Sequence, residues 1–176
     1  IKLIGKAQQR VVFVAPGVHQ TVAEALGQRL AEIDRLQVTV VIDPDEDVCR
    51  IGYGDAKGLE LLSSYADRQS FALMAQPGLR VGVLLVDDVT LVWSPTPRSV
   101  EAAPLGNAAS PTERAPNGLL LGANPGEQLA HAVSAAGTDT LPFDAEVGVE
   151  VVTKERVQKT LDGLAKNPPI PVDLAR

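Results

Sequence analysis

Two short apolar runs constrain this chain more than anything else in it. The first, Arg10 to Ala15 (RVVFVA), closes at Pro16 and Gly17; the second, Val38 to Ile42 (VTVVI), closes at Asp43 and Pro44. Runs of this length, rich in β-branched residues and bounded by turn formers, read as strands buried on both faces. Between them Val22, Leu26, Leu30 and Ile33 recur at helical spacing, and Thr21 followed by Glu24 has the form of a capping box. A helix of about 12 residues between two buried strands is the usual crossover of a parallel pair. The predicted class is therefore α/β, a mixed sheet flanked by helices.

The remaining segments extend this pattern. Ile1 to Gln9 reads as the end of a helix, and Leu59, Leu61, Leu62 and Tyr65 predict a second helix from about Ala56 to Asp67. Phe71 to Met74 is a candidate third strand. Leu79 to Val86 is a fourth, Asp87 and Asp88 form a tight hairpin turn, and Thr90 to Trp93 returns before the Ser94–Pro97 break. From Glu101 to Pro116 the chain is mostly Ala, Pro, Asn, Ser and Thr, which predicts a long loop. Gly118 to Leu121 reads as a short strand, and Glu127 to Ala135 as a modest helix carrying a solvated His131. Thr138 to Asp144 reads as a connector, and Val147 to Val152 as a strand or a docking loop. Thr153 caps a last helix that runs to Lys166 and stops at Asn167 and the two prolines after it. Its Val157, Leu161 and Leu164 form one stripe opposite Lys and Arg. The expected organisation is a core over residues 1–100, a loop-rich extension over 101–152 that completes or covers it, and a helix with a Pro-rich exit over 153–176. Opening at Ile1 rather than Met, the chain reads as a piece of a longer polypeptide, its last helix either packing on the sheet or leading into a further domain.

Charge and composition exclude several functions. The 176 residues hold 16 Lys+Arg against 22 Asp+Glu, a net charge of −6, so no basic nucleic-acid surface is expected. Aromatic residues make up 3%, too few for base-stacking platforms, and they leave the core to Val, Leu, Ile and Ala. One Cys excludes an internal disulfide and a cysteine-built metal cage, and two His do not make a multi-His site. No apolar run is long enough to span a bilayer and no signal peptide opens the chain, so the expected compartment is the cytoplasm, with no membrane partner and no cofactor.

From Leu79 to Thr96 the chain resembles half of a phospholipase D superfamily domain. There, a strand carrying H-x-K-x-x-x-x-D is followed by a hairpin and a return strand ending in Gly-Ser and an Asn. The matching stretches here are Val81 to Asp88 (VGVLLVDD) and Thr90 to Thr96 (TLVWSPT), and the two earlier strands fit the units before them. The resemblance covers about the first hundred residues. It implies that Val81 stands at the nucleophilic His and Val83 at the phosphate-binding Lys. Asp88 and Ser94 are retained, Thr96 replaces the Asn, and Trp93 stands at a Gly. Valine has neither a lone pair to attack phosphorus nor a charge to steady it. The implied protein is a catalytically silent phospholipase D-like domain used for interaction or regulation. Members with one motif per chain pair two halves, so the implied partner is a second copy or another domain of the same polypeptide.

Other residues could carry chemistry, each beside a plainer reading. His19 follows the first strand; with Asp88 as orienter, Ser94 nearby, and Arg50, Arg80 or Arg98 as the cation, it would form a relocated phosphodiesterase site. The plainer reading is a turn histidine. Asp43, Asp45, Glu46 and Asp47 could hold Mg²⁺ or Ca²⁺ but lack the spacing of an EF-hand, and read equally as a solvated loop that starts a helix. Gly52 to Gly58 opens a helix where phosphate could sit, or is a turn with Asp55 as cap. Cys49 beside Arg50 is either an activated thiol or a buried one. Ser94, Thr96 and Arg98, stiffened by two prolines, could bind a phosphate or a partner loop. The expected catalytic and metal sets are empty, and a non-catalytic ligand- or nucleic-acid-binding module is the further alternative.

Overall fold

The computed structural model describes residues 1–69, 71–97, 118–121 and 150–169. After a single 3₁₀ turn at Ile4–Lys6, strand β1 (Arg10–Val14) leads into α1 (Gln20–Glu32) and β2 (Gln37–Ile42). Helices α2 (Glu46–Arg50) and α3 (Ala56–Gln69) precede β3 (Ala72–Ala75), β4 (Gly82–Val86) and β5 (Val89–Trp93). β6 (Gly118–Leu121), β7 (Glu150–Val151) and the helix Lys154–Lys166, here α4, complete the described elements. They form one seven-stranded sheet in the order β6-β5-β4-β1-β2-β3-β7. β1, β2 and β3 run parallel, and every other pairing is antiparallel. The class is the mixed α/β one that the two apolar runs predict, and β6 and β7 bring residues beyond 100 onto both edges of that sheet.

Side-chain alternation splits the strands into two apolar clusters. Val11, Phe13, Val38, Val40, Ile42, Leu84 and Val86 face the helices, where Ala23 and Leu26 of α1, Leu59 and Leu62 of α3, and Val157 of α4 pack on them. Val12, Val14, Val41, Val83 and Leu85 form the cluster on the other face. α4 is held by a small apolar stripe and a buried hydrogen bond. Val157 and Leu164 are buried, and the Thr160 hydroxyl donates to the Pro44 carbonyl at 2.6 Å. Thr153 caps this helix as predicted, its side chain accepting from the Arg156 N–H at 3.2 Å.

Three local expectations differ from the structure. α1 starts at Gln20 with His19 as N-cap, so Thr21 is an exposed second residue of the helix and not its cap. The Gln20 N–H is satisfied by a carboxylate from another element, an interaction with no trace in the local sequence. β4 begins at Gly82 rather than Leu79, because the buried Asp43 carboxylate accepts from the Gly78 N–H at 2.8 Å and holds that stretch in a loop. Ile1–Gln9 holds one 3₁₀ turn and no longer helix. The predicted loop over 101–116, the helix Glu127–Ala135 with His131, and the connector Thr138–Asp144 lie outside the described residues.

The Asp87–Asp88 hairpin is present, with Val86 opposite Val89. Asp87 is left-handed (φ 51°), a conformation that Asp tolerates better than most residues. Its carboxylate then accepts from the backbone N–H groups of Gln8, Gln9 and Arg10 at 2.9, 2.8 and 2.9 Å. The hairpin therefore fastens the entry to β1. Among the described residues no helix is long and apolar enough to cross a membrane.

Candidate functional site

Beyond the carboxyl end of β1, the turn at residues 15–19 packs backbone to backbone against residues 52–58. The Asp55 N–H donates to the Val18 carbonyl at 3.1 Å. A Cβ on Gly54 would lie 2.7 Å from the Val18 nitrogen and oxygen, and one on Gly58 2.4 Å from that oxygen, so only glycine allows this approach. The contact brings the starts of α1 and α3 together. Asp55 stands between them. Its carboxylate accepts from the Gly58 N–H at 2.6 Å, as an N-cap of α3, and from the Gln20 N–H at 3.0 Å, at the first residue of α1. His19 Nδ1 lies 3.2 Å from the same carboxylate. One anion thus offsets the positive ends of two helix dipoles.

A cleft of about 690 Å³ opens beside this pair. His19, Asp55 and Lys57 line it together with Cys49 of α2 and with Leu161 and Leu164 of α4. The Cys49 thiol is buried, and burial, followed by the charges of Asp55, Asp43 and Asp45, pushes it up to about 11. Arg50 does not lower it: the guanidinium pairs with Glu46 and Asp47 and donates to the Asn167 carbonyl at 3.3 Å. Such a thiol is protonated at neutral pH and is not an activated nucleophile.

The acidic residues after β2 are used locally. Asp43 also accepts from the Asp45 N–H at 3.3 Å, with Arg80 at 3.6 Å, and Asp45 caps α2 through the Asp47 N–H at 2.8 Å. Among the described residues no three His, Cys, Asp or Glu side chains converge as metal ligands.

Strand register sets where the remaining candidates lie. Val83 pairs with Val14 near the carboxyl end of β1, whereas Val86, which leads into the hairpin, pairs with Val11. Asp88 is therefore at the opposite end of the sheet from His19, and the carboxylate beside His19 is Asp55. This corrects the constellation with Asp88 as orienter. Ser94 and Thr96 follow β5 at the same end as Val81 and are exposed, while Arg98 lies outside the described residues. Val81 precedes β4 and is 44% exposed; Val83 is buried against Val12, Val14, Val41 and Leu85. Trp93 pairs with Gly82, one residue out of step with Val83, and so lies on the helix-covered face, where its ring centroid is 6.1 Å from that of Phe13. It does not lie beside Val83.

Sequence reasoning missed two residues in their actual roles. Asp55 was legible as a cap for α3, but its grip on α1 depends on a contact across 35 positions. Asp87 reads as a turn former, and nothing local signals that it binds Gln8 to Arg10.

No known protein family matches this chain in sequence, and no curated protein does so. Among solved structures it is similar to phosphatidylserine synthase from Haemophilus influenzae Rd KW20, with a TM-score of 0.51 and 14% identity. That match covers 94% of this chain and 41% of the synthase. It also matches TrmBL2, an archaeal chromatin protein that binds DNA, with a TM-score of 0.40 and 11% identity over 52% of this chain and 33% of that one. The chain thus spans less than half the length of either protein. What the chain shares with that synthase is its mixed α/β fold.

Proposed function

We propose that this chain is a phospholipase D-like domain that does not carry out the superfamily's phosphodiester chemistry and acts instead through interaction, with a second copy or within a longer polypeptide. One observation carries the reading. Val83, aligned by the resemblance with the phosphate-binding Lys, is closed into the apolar cluster of Val12, Val14, Val41 and Leu85. β4 (GVLLV) bears no imidazole or ammonium group from end to end. The hydroxyl and carboxylate left from the aligned motif, on Ser94 and Asp88, are at opposite ends of the sheet. Exposed leucines on edge strand β6, Leu119 and Leu120, support the interaction half of the reading.

Turnover of bis(4-nitrophenyl) phosphate and of single-stranded DNA tests it. The expected result is no hydrolysis above buffer, and no difference between the wild-type chain and His19→Ala. Hydrolysis by the wild type that disappears in His19→Ala restores the enzyme reading. Sedimentation over a range of concentrations measures self-association directly.

A further inference from the structure

The cleft beside His19 and Asp55 plays no part in that reading. Its volume of about 690 Å³ is within the range of small-molecule sites. It lies beyond the carboxyl ends of the parallel strands, where open α/β sheets bind ligands. Leu161, Leu164 and Ala165 of α4 and Ala56 of α3 give it an apolar wall. Its acidic and basic side chains are Asp55, Lys57 and His19, and they are not equally available. The Asp55 oxygens are occupied by Gln20, Gly58 and His19. The Lys57 side chain is 54% exposed and its ammonium pairs with Glu60 at 2.9 Å, an exposed i,i+3 bridge that a better partner displaces at little cost.

We propose that this cleft binds an amphipathic organic anion. Its hydrocarbon body lies against Leu161, Leu164 and Ala165, and its carboxylate meets Lys57. Apolar walls select the body by burial, and the exchangeable cation selects the head by charge. The proposal does not depend on the absence of catalysis, because binding and hydrolysis are measured separately.

Calorimetric titration of the whole chain with decanoate, and with decanol as its uncharged counterpart, tests it. Decanoate binds saturably and more tightly than decanol. Lys57→Gln weakens decanoate about fivefold, the effect of losing one exposed ion pair, and leaves decanol unchanged. Ala165→Trp fills the cleft from an exposed position on α4, and Ala56→Trp does so from α3. Each abolishes binding of both probes while the circular dichroism spectrum is retained. Saturable binding that survives both tryptophan variants, or no saturable binding by the wild type, overturns the site. Equal affinity for decanol and decanoate, unmoved by Lys57→Gln, overturns the anionic head.

Discussion

At the scale of the residue, Asp55 has the largest share in positioning the candidate site. It accepts from the starts of two helices and lies 3.2 Å from His19 Nδ1. Asp55→Ala leaves the first turns of α1 and α3 without a side-chain acceptor. The expected loss is about 2 kcal/mol, the size of a good N-cap, read as a lower urea midpoint with an unchanged denaturant slope. An unchanged midpoint means that water caps both helices equally well. The sequence revealed part of this. An Asp followed by a helical pattern is a cap signal, whereas nothing local shows that Gly54 and Gly58 are there to let Val18 approach. Thr21 shows the converse. Its capping-box spacing with Glu24 is a sound local signal, overridden because the turn before it docks two residues earlier.

At the scale of the element, β4 and β5 show how much the apolar pattern specifies and where it stops. Their strand character and turn follow from apolar runs and an Asp-Asp pair, but the start of β4 does not, because Asp43 holds the Gly78 stretch in a loop. The face that each residue takes follows from register, which a stretch of continuous hydrophobics does not encode. Gly82 reveals the register. A Cβ there would lie 2.1 Å from the Trp93 ring, so the indole is seated on a residue that has no side chain. Gly82→Ala should cost about 1–3 kcal/mol through overpacking. In Trp93→Leu, where the ring is gone, the same substitution costs clearly less, and thermal melts of the four proteins in the cycle give the coupling. Additive effects would mean that the strand pair shifts to accommodate the methyl group at no cost.

At the scale of the whole molecule, the parallel strands β1, β2 and β3, edged by antiparallel β7, meet the antiparallel strands β4, β5 and β6 at β1, and Asp87 ties the two parts together. Burial raises its carboxyl, but hydrogen bonds from the Arg10, Gln9 and Gln8 N–H groups and the Arg10 charge outweigh this and hold it below the ordinary aspartate value of 3.8. A depressed acid stabilises the folded state fully above its unfolded pKa, and that contribution is lost as pH falls through the folded one. Asp87→Asn is therefore expected to lower the urea midpoint at neutral pH and to lower it less below about pH 3.8, where the wild type loses the same contribution. Equal losses at both pH values would assign the effect to shape rather than charge. The fold class was readable because the parallel part is local in sequence. The clasp was not, because it joins Arg10 to a residue 77 positions away.

β1 is also the most central strand by pairing order, with β2 on one side and β4 on the other. During synthesis Val11 to Val14 leave the ribosome with β2 close behind them, but Val83 to Val86 emerge only after α2, α3 and β3 have been made. Until then one hydrogen-bonding flank of a strand that is apolar from Val11 to Val14 faces outward, a template for mispairing between nascent chains. The order of translation thus leaves that flank of β1 open until β4 arrives, and shielding it in that interval is what prevents such mispairing.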